Sequence, residues 1–384
     1  MIRREFILGL LSFLVFFLNA CQRTVVATEH VEIPATIAPT TTFTATAIPP
    51  TQTATLTPSP ISPTVEPTSS PTPTEVPVTE LLFTGAIVPA RCVQEAIDER
   101  GNADYIYASM KGVIEKADIA IGTLNAALSD YPPLKGCVQT FVLVGRSENA
   151  DALANAGFDV MSVATNHIKN CGLLGCGDRA FFDTLANLYR VGIEPVGAGE
   201  NIAAALNPVI VTINGIRFGF ISLGEIEPSA FADIASPGIA ELSNANLRRA
   251  IENTRNLADV VIVLPHWGSD YSPTPNYRQL EFADVATESG ADLVIGNHAH
   301  VIQGMKEFNG VPVFFGLGSF VFDQSWSLET QQGIVVRVVF EGIQFQSYEV
   351  IPVHIEKNGY VFIPEAEEAA SILSRFETIS DQIP

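Results

Sequence analysis

From Leu81 onward, apolar runs of strand length alternate with helix-patterned stretches, and this alternation constrains the fold more than any other feature of the chain. "LLFTGAI" precedes a helical stretch near 93–116, which leads into "ADIAIGTL". "FDVMSVA" follows "ENADALANAG", "DVVIVLPHWG" follows "NANLRRAIENTRNLA", and "ADLVIGNHAH" follows "YRQLEFADVATESG". Strands this continuously apolar are buried on both faces, and the intervening helices provide the crossovers that parallel pairing requires. Interleaved with them are hairpin signals, Asn214-Gly215 in "VIVTINGIRFGFI" and Asn309-Gly310 in "MKEFNGVPVFF". The tail, through "NGYVFI", reads as further antiparallel strands, followed by a last helix over about 364–379. The expected fold class is therefore α/β (α+β), with two mixed sheets in a sandwich and helices on the outer faces.

The first 80 residues have a different texture. "MIRRE" and "FILGLLSFLVFFLNA" form the basic and apolar parts of an export signal, closing on a lipoprotein-type box at Leu18-Asn19-Ala20-Cys21. This predicts a signal over 1–21, lipidation of Cys21, and a mature protein anchored at the bacterial cell surface. An ordinary cleaved signal or an uncleaved anchor helix are the alternatives. Residues 22–79 are rich in Thr, Pro, Ser and Ala with almost no charge, so they cannot bury enough surface to offset chain entropy. They read as a stalk, on the order of 150 Å long if fully extended. Residues 80–384 are the folded domain.

With Cys21 set aside, Cys92, Cys137, Cys171 and Cys176 remain, an even number in an exported chain. Of the three possible connectivities, Cys92–Cys137 with Cys171–Cys176 is favoured. A four-thiolate zinc site is the rival, and it lacks paired CxxC spacing. The formal net charge of −21 excludes a nucleic-acid partner and electrostatic adhesion to anionic headgroups, since no basic field exists to release counterions.

Of six histidines, His30 falls in the stalk and His354 in a late strand, and neither has a telling polar neighbourhood. The other four follow apolar strands: His167 in "VMSVATNHIKNCG", His266 in "VIVLPHWG", His298 and His300 in "LVIGNHAH". Ligands of open α/β sheets bind beyond the carboxyl ends of strands, so three strands delivering His and Asn to that edge predict a shared site. Imidazole suits Zn, Mn or Fe, and a His-x-His step can aim both rings into one cavity. Ser/His/Asp catalysis is a poor rival, because "FGLGSF" around Ser319 is no nucleophile elbow.

The blocks "LLFTGAIVPAR", "ADIAIGTLNAALSD", "AGFDVMSVATNHIKNCG", "VGAG", "VIVLPHWGSDY", "GADLVIGNHAHVIQG" and "FFGLGSFVFDQ" resemble, in order and spacing, the bacterial capsule-synthesis CapA (poly-γ-glutamate) family of the metallo-dependent phosphatase-like superfamily. The resemblance covers about 81–324. It implies a calcineurin-like metallophosphatase β-sandwich and a cell-surface role in synthesis, export or anchoring of an anionic capsule polymer. The partners would be that polymer or its membrane synthesis machinery.

Family members usually carry Gly-Asp at the first strand end and Gly-Asn-Leu-Glu in the second block. Here these positions read Gly85-Ala86 and Gly122-Thr123-Leu124-Asn125, and the Asp expected after the Asn-His step is Asn170. A two-metal site gathers two dications about 4 Å apart and needs bridging carboxylates. Their mutual repulsion is on the order of tens of kcal/mol at low dielectric, which neutral ligands cannot offset. The expectation is a degenerate pocket holding at most one divalent ion (Mn, Zn or Fe), weakly, through Asn125, Asn166, His266, His298 and His300; no ion at all is an equal alternative. In the catalytic version one metal would polarise an amide or phosphoryl oxygen, with His167 as general acid. In the non-catalytic version the chain is a binding or scaffold lipoprotein that keeps only the fold. Arg91 and Asp270 are the candidate substrate contacts, Arg91 having a plain surface salt bridge as its duller role. Asp270 and Asp323 are the acids that could replace a lost ligand, with solvated or capping roles as the alternative.

Overall fold

Alternate residues of the strand Val78–Ile87 belong to two different cores: Leu81 and Phe83 to one, Leu82 and Ile87 to another. A strand apolar on both faces has to be covered on both, and the computed structural model, which describes residues 76–131, 135–171 and 175–384, shows what covers it. The export signal with Cys21, and the stalk up to residue 75, lie outside the described residues.

Two mixed sheets stack face to face. In the first, the central Val78–Ile87 strand runs parallel to Ile119–Leu124, followed by Val160–Ser162 and Glu194–Val196. On its other side Gln332–Glu341 and Gln344–Ile355 add antiparallel. In the second, Val260–Trp267 lies between Ile216–Gly224 and Leu293–Ile295, both parallel to it. The hairpins at the edges turn on Asn214 (φ 52°) with Gly215 (φ 81°) and Asn309 (φ 52°) with Gly310 (φ 80°), the two successive positive φ values of a type I′ turn.

The space between the sheets is filled by Phe83, Phe218, Phe220, Phe314 and Phe340 with aliphatic neighbours from both sheets. Each such ring, fully withdrawn from water, contributes about 1.5–3 kcal/mol. Helices Cys92–Arg100, Glu148–Ala156 and Arg179–Arg190 cover the outer face of the first sheet. Asn244–Arg255 and Tyr277–Glu288 cover the second. This is the two-sheet sandwich with helices on its outer faces anticipated above. The last helix, Ala366–Asp381, sends Ile372 and Phe376 into the inter-sheet core. Among the described residues no helix is long and apolar enough to cross a membrane.

Two local features differ from the sequence reading. The first strand begins at Val78, and Val78 and Thr79 pair with Glu341 and Phe340, so ordered pairing starts two residues before position 80. The stretch 93–116 is not one helix but Cys92–Arg100, a 3₁₀ turn at Asp104–Tyr107 and a short turn at Lys111–Ile114. Gly101 takes the left-handed conformation (φ 64°) that closes the first helix, and the Asn102 side chain accepts the Asp104 N–H at 2.9 Å, a local bond that competes with helix continuation.

The cysteines pair as Cys92–Cys137 and Cys171–Cys176, which leaves no thiolate for zinc. The first bridge ties the segment leading into Thr140 and Phe141 to the start of the Cys92–Arg100 helix. With 45 residues between its ends against 5, its chain-entropy contribution is the larger, about 4 kcal/mol against about 2. Urea unfolding should therefore show Cys137→Ala losing clearly more stability than Cys176→Ala; equal losses would contradict this.

Candidate metal-binding site

The parallel strands of both sheets end at one edge, where the four strand-end histidines meet. His298 is held by backbone pairing: Asn297–His298 runs parallel to the end of Val260–Trp267, with His266 opposite Asn297 and Trp267 opposite His298. This register places the His298 ring 4.8 Å from that of His266, and His298 Nδ1 lies 3.2 Å from His266 Nε2. The same Nε2 is 2.9 Å from Asn166 Oδ1. Asn125 Oδ1 accepts the His167 N–H at 3.3 Å, which ties the second strand's tip to the third's. His300 lies 6.0 Å from His298 ring to ring, with Nδ1 3.3 Å from Ser319 Oγ. Asp270 Oδ1 reaches His298 Nε2 at 3.4 Å, although Asp270 itself is exposed. Asn125, Asn166, His167, His266, His298, His300 and Asp270 are thus brought together.

Arg91 is near but committed. Its guanidinium pairs with Asp323, donates to the Thr140 carbonyl at 3.1 Å and stacks 4.8 Å from the Phe322 ring. This is a buried ion pair rather than a surface one. Asp323 also accepts the Cys92 N–H at 3.3 Å, so it caps a helix start and is not aimed at the histidines. His354, which the sequence offered no partner, lies 2.8 Å from Glu368, away from the site.

Backbone strain marks the same place. Seven non-glycine residues among those described have positive φ; two are the Asn of the hairpin turns, and four of the other five are Arg91 (54°), Tyr271 (59°), His298 (125°) and His300 (58°). Each costs about 1–3 kcal/mol and persists only where the surroundings impose it.

Burial sets the protonation. It drives His266 and His300 well below the ordinary histidine range, reinforced by the charges the neighbouring imidazoles would carry. Burial also lowers His298, partly opposed by Asp270, and lowers His167, partly opposed by its bond to Asn170. Neutral imidazoles are the form that binds cations, and the His266 Nδ1 lone pair and the Asn125 Nδ2 amide are buried without partners. At neutral pH His167 accepts a proton, and it delivers one only after taking it up.

Among the described residues, one set of free donors converges, Asp270, His298 and His300, with ligand atoms within 4.8 Å of one another. Ala86, buried at the first strand's tip between Thr123 and Ser319, offers no donor. Asp270 is the single carboxylate of the set, and it lies at the solvent side. These donors have the chemistry of a cation site.

Beside the histidines opens a cavity of about 320 Å³ bounded by Arg91, Thr140, Phe141, Asp270, Tyr271, His300, Phe322, Gln324 and Trp326. Its aromatic wall escaped sequence reasoning. Tyr271 directly follows Asp270 in the "HWGSDY" block, but Trp326 lies beyond the last quoted block and Phe141 in a loop without pattern.

The profile described as "Bacterial capsule synthesis protein PGA_cap" matches residues 80–324. The chain belongs to that family. It is 27% identical over 277 residues to the PGA biosynthesis protein CapA of Bacillus subtilis (strain 168), covering 72% of this chain and 71% of that protein. It is likewise 27% identical over 286 residues to the capsule biosynthesis protein CapA of Bacillus anthracis, covering 73% and 68%. Among solved structures, Haemophilus influenzae NAD nucleotidase (NadN) superposes with a TM-score of 0.47 at 13% identity, over 79% of this chain and 56% of that protein, so the chain spans just over half its length.

The depressed histidines fix a sign for pH dependence. A group that is harder to protonate folded than unfolded stabilises the fold above its unfolded value near 6.5, and that stability is lost as pH falls toward the folded value. Each of His266 and His300 should take away up to about 1.4 kcal/mol per pH unit below about pH 6.5. Unfolding free energies at pH 7.5 and 5.5 should differ less in His300→Gln than in the wild type, and an unchanged difference would refute the assignment.

Proposed function

We propose that this chain is a surface lipoprotein that serves synthesis, export or anchoring of an anionic capsule polymer such as poly-γ-glutamate, with a pocket that holds at most one divalent ion. The family relationship and the CapA relatives support the polymer assignment. The observation that carries the pocket reading is the convergence of Asn166, His266, His298 and His300 at a strand edge where Ala86 and Asn125 replace the expected acids. With a formal charge of −21 the protein has no field to gather a polyanion, which favours a partner in the membrane synthesis machinery over the free polymer. Lipidation at Cys21 and the stalk 22–79 would place the domain at the cell surface, clear of the bilayer.

His298, His300 and Asp270, with Asn166 and His266 alongside, would hold the ion. A bound Mn, Zn or Fe ion would supply Lewis-acid polarisation of an amide or phosphoryl oxygen. The chain's own residues position it: Asn166 fixes the His266 ring, Asn125 holds the His167 backbone, and the neutral His167 is available to take a proton from a nearby water or ligand. The alternative reading is a binding or scaffold lipoprotein without chemistry, and the specific observation favouring it is that most site polar groups are already satisfied by one another.

Deleting the gene in the producing organism should abolish or sharply lower surface polymer, measured by acid hydrolysis and glutamate quantification. Cys21→Ala should give the same loss by releasing the domain from the envelope. Full polymer in the deletion strain would overturn the capsule assignment. A His298→Ala, His300→Ala chain that restores wild-type polymer would favour the scaffold reading over the metal-dependent one.

A further inference from the structure

We propose that the 320 Å³ cavity beside the histidines binds a neutral saccharide, stacked on Trp326 and Tyr271 at its mouth. This goes beyond the capsule reading and does not rest on it. The cavity lies within the size range of small-molecule sites, and its mouth is built of aromatics that soluble surfaces normally withdraw. Trp326 is 59% exposed, Phe141 82% and Tyr271 45%. Tyr271 and Trp326 stand nearly perpendicular, 80° apart with centroids at 5.6 Å, and so form an open corner rather than a parallel slot for a flat base.

Charge decides what enters that corner. Among the described residues lining the cavity the only cation is Arg91, and Asp323 and Thr140 occupy it. Asp270 adds a carboxylate to the same wall. Among the described lining residues no cationic side chain is left free to pair with a phosphate or a polyglutamate carboxylate. The remaining lining groups Gln139, Thr140 and Gln324 offer amide and hydroxyl partners for sugar hydroxyls. Gln324 is 5% exposed; one end of its amide bonds the Tyr271 hydroxyl at 3.0 Å, and the other, Oε1, has no partner in the protein. Tyr271 is held there in a left-handed backbone conformation (φ 59°), its N–H donated to the Ala299 carbonyl at 2.8 Å, so the platform is pre-positioned.

The chain has two tryptophans, and Trp267 is buried with its indole N–H on the Phe315 carbonyl, so a change in indole emission on ligand addition reports Trp326. The full chain in detergent would be titrated with neutral oligosaccharides of glucose, galactose, mannose and N-acetylglucosamine, and in parallel with γ-linked glutamate oligomers. At least one oligosaccharide should give a saturable emission change. Calorimetric affinity for it should fall about tenfold or more in Tyr271→Ala and in Trp326→Ala, as loss of one stacked ring requires, with unchanged far-UV circular dichroism. No saturable response to any of the four series overturns the proposal. So does binding of the glutamate oligomers, rather than the sugars, that depends on Trp326; that outcome would leave the capsule reading standing.

Discussion

The short parallel pairing of Asn297–His298 against the end of Val260–Trp267 is the interaction on which the site depends. It carries the chain across the edge of the second sheet in a conformation, φ 125° at His298, that a side chain rarely adopts. That twist brings the His298 nitrogen within 3.2 Å of His266 and leaves His300, two residues on, facing the cavity.

The strand tips of the first sheet complete the hollow by a different route. Ala86 is flanked by Thr123 and Ser319 on parallel neighbours, so its side takes up almost no space. Thr123 Oγ1 accepts the Asn297 amide at 2.9 Å, and Ser319 Oγ faces His300. Small and hydroxyl side chains line these tips and partner the Asn297 amide and the His300 ring, while His266 Nδ1, Asn125 Nδ2 and Asn297 Oδ1 stay buried without partners. Neutral rings need no counter-ion, and the carboxylate that reaches them, Asp270, lies at the solvent side.

Much of this was legible in the sequence, because it depends on patterns that act locally. Asn214-Gly215 and Asn309-Gly310 fix their turns by their own backbone preferences, and the apolar runs ending in Asn-His or Pro-His announce buried strands with polar tips. The broken 93–116 stretch was less legible, since Gly101 and Asn102 act against a residue pattern that otherwise fits a helix. Asp323 was hidden for a different reason. Its partners Arg91 and the Cys92 N–H are more than 230 residues away, and nothing near "FVFDQ" signals them. The aromatic mouth is likewise assembled from three separate loops, which only tertiary structure brings together.

The central claim is that the strand-tip imidazoles and amides share one hollow too poor in negative charge for two dications. Native mass spectrometry of the full chain, released from detergent after equilibration with saturating Mn²⁺ or Zn²⁺, counts the ions directly. The account predicts no more than one ion per chain, absent from His298→Ala. Two ions on the wild-type chain, both lost in that variant, would contradict it.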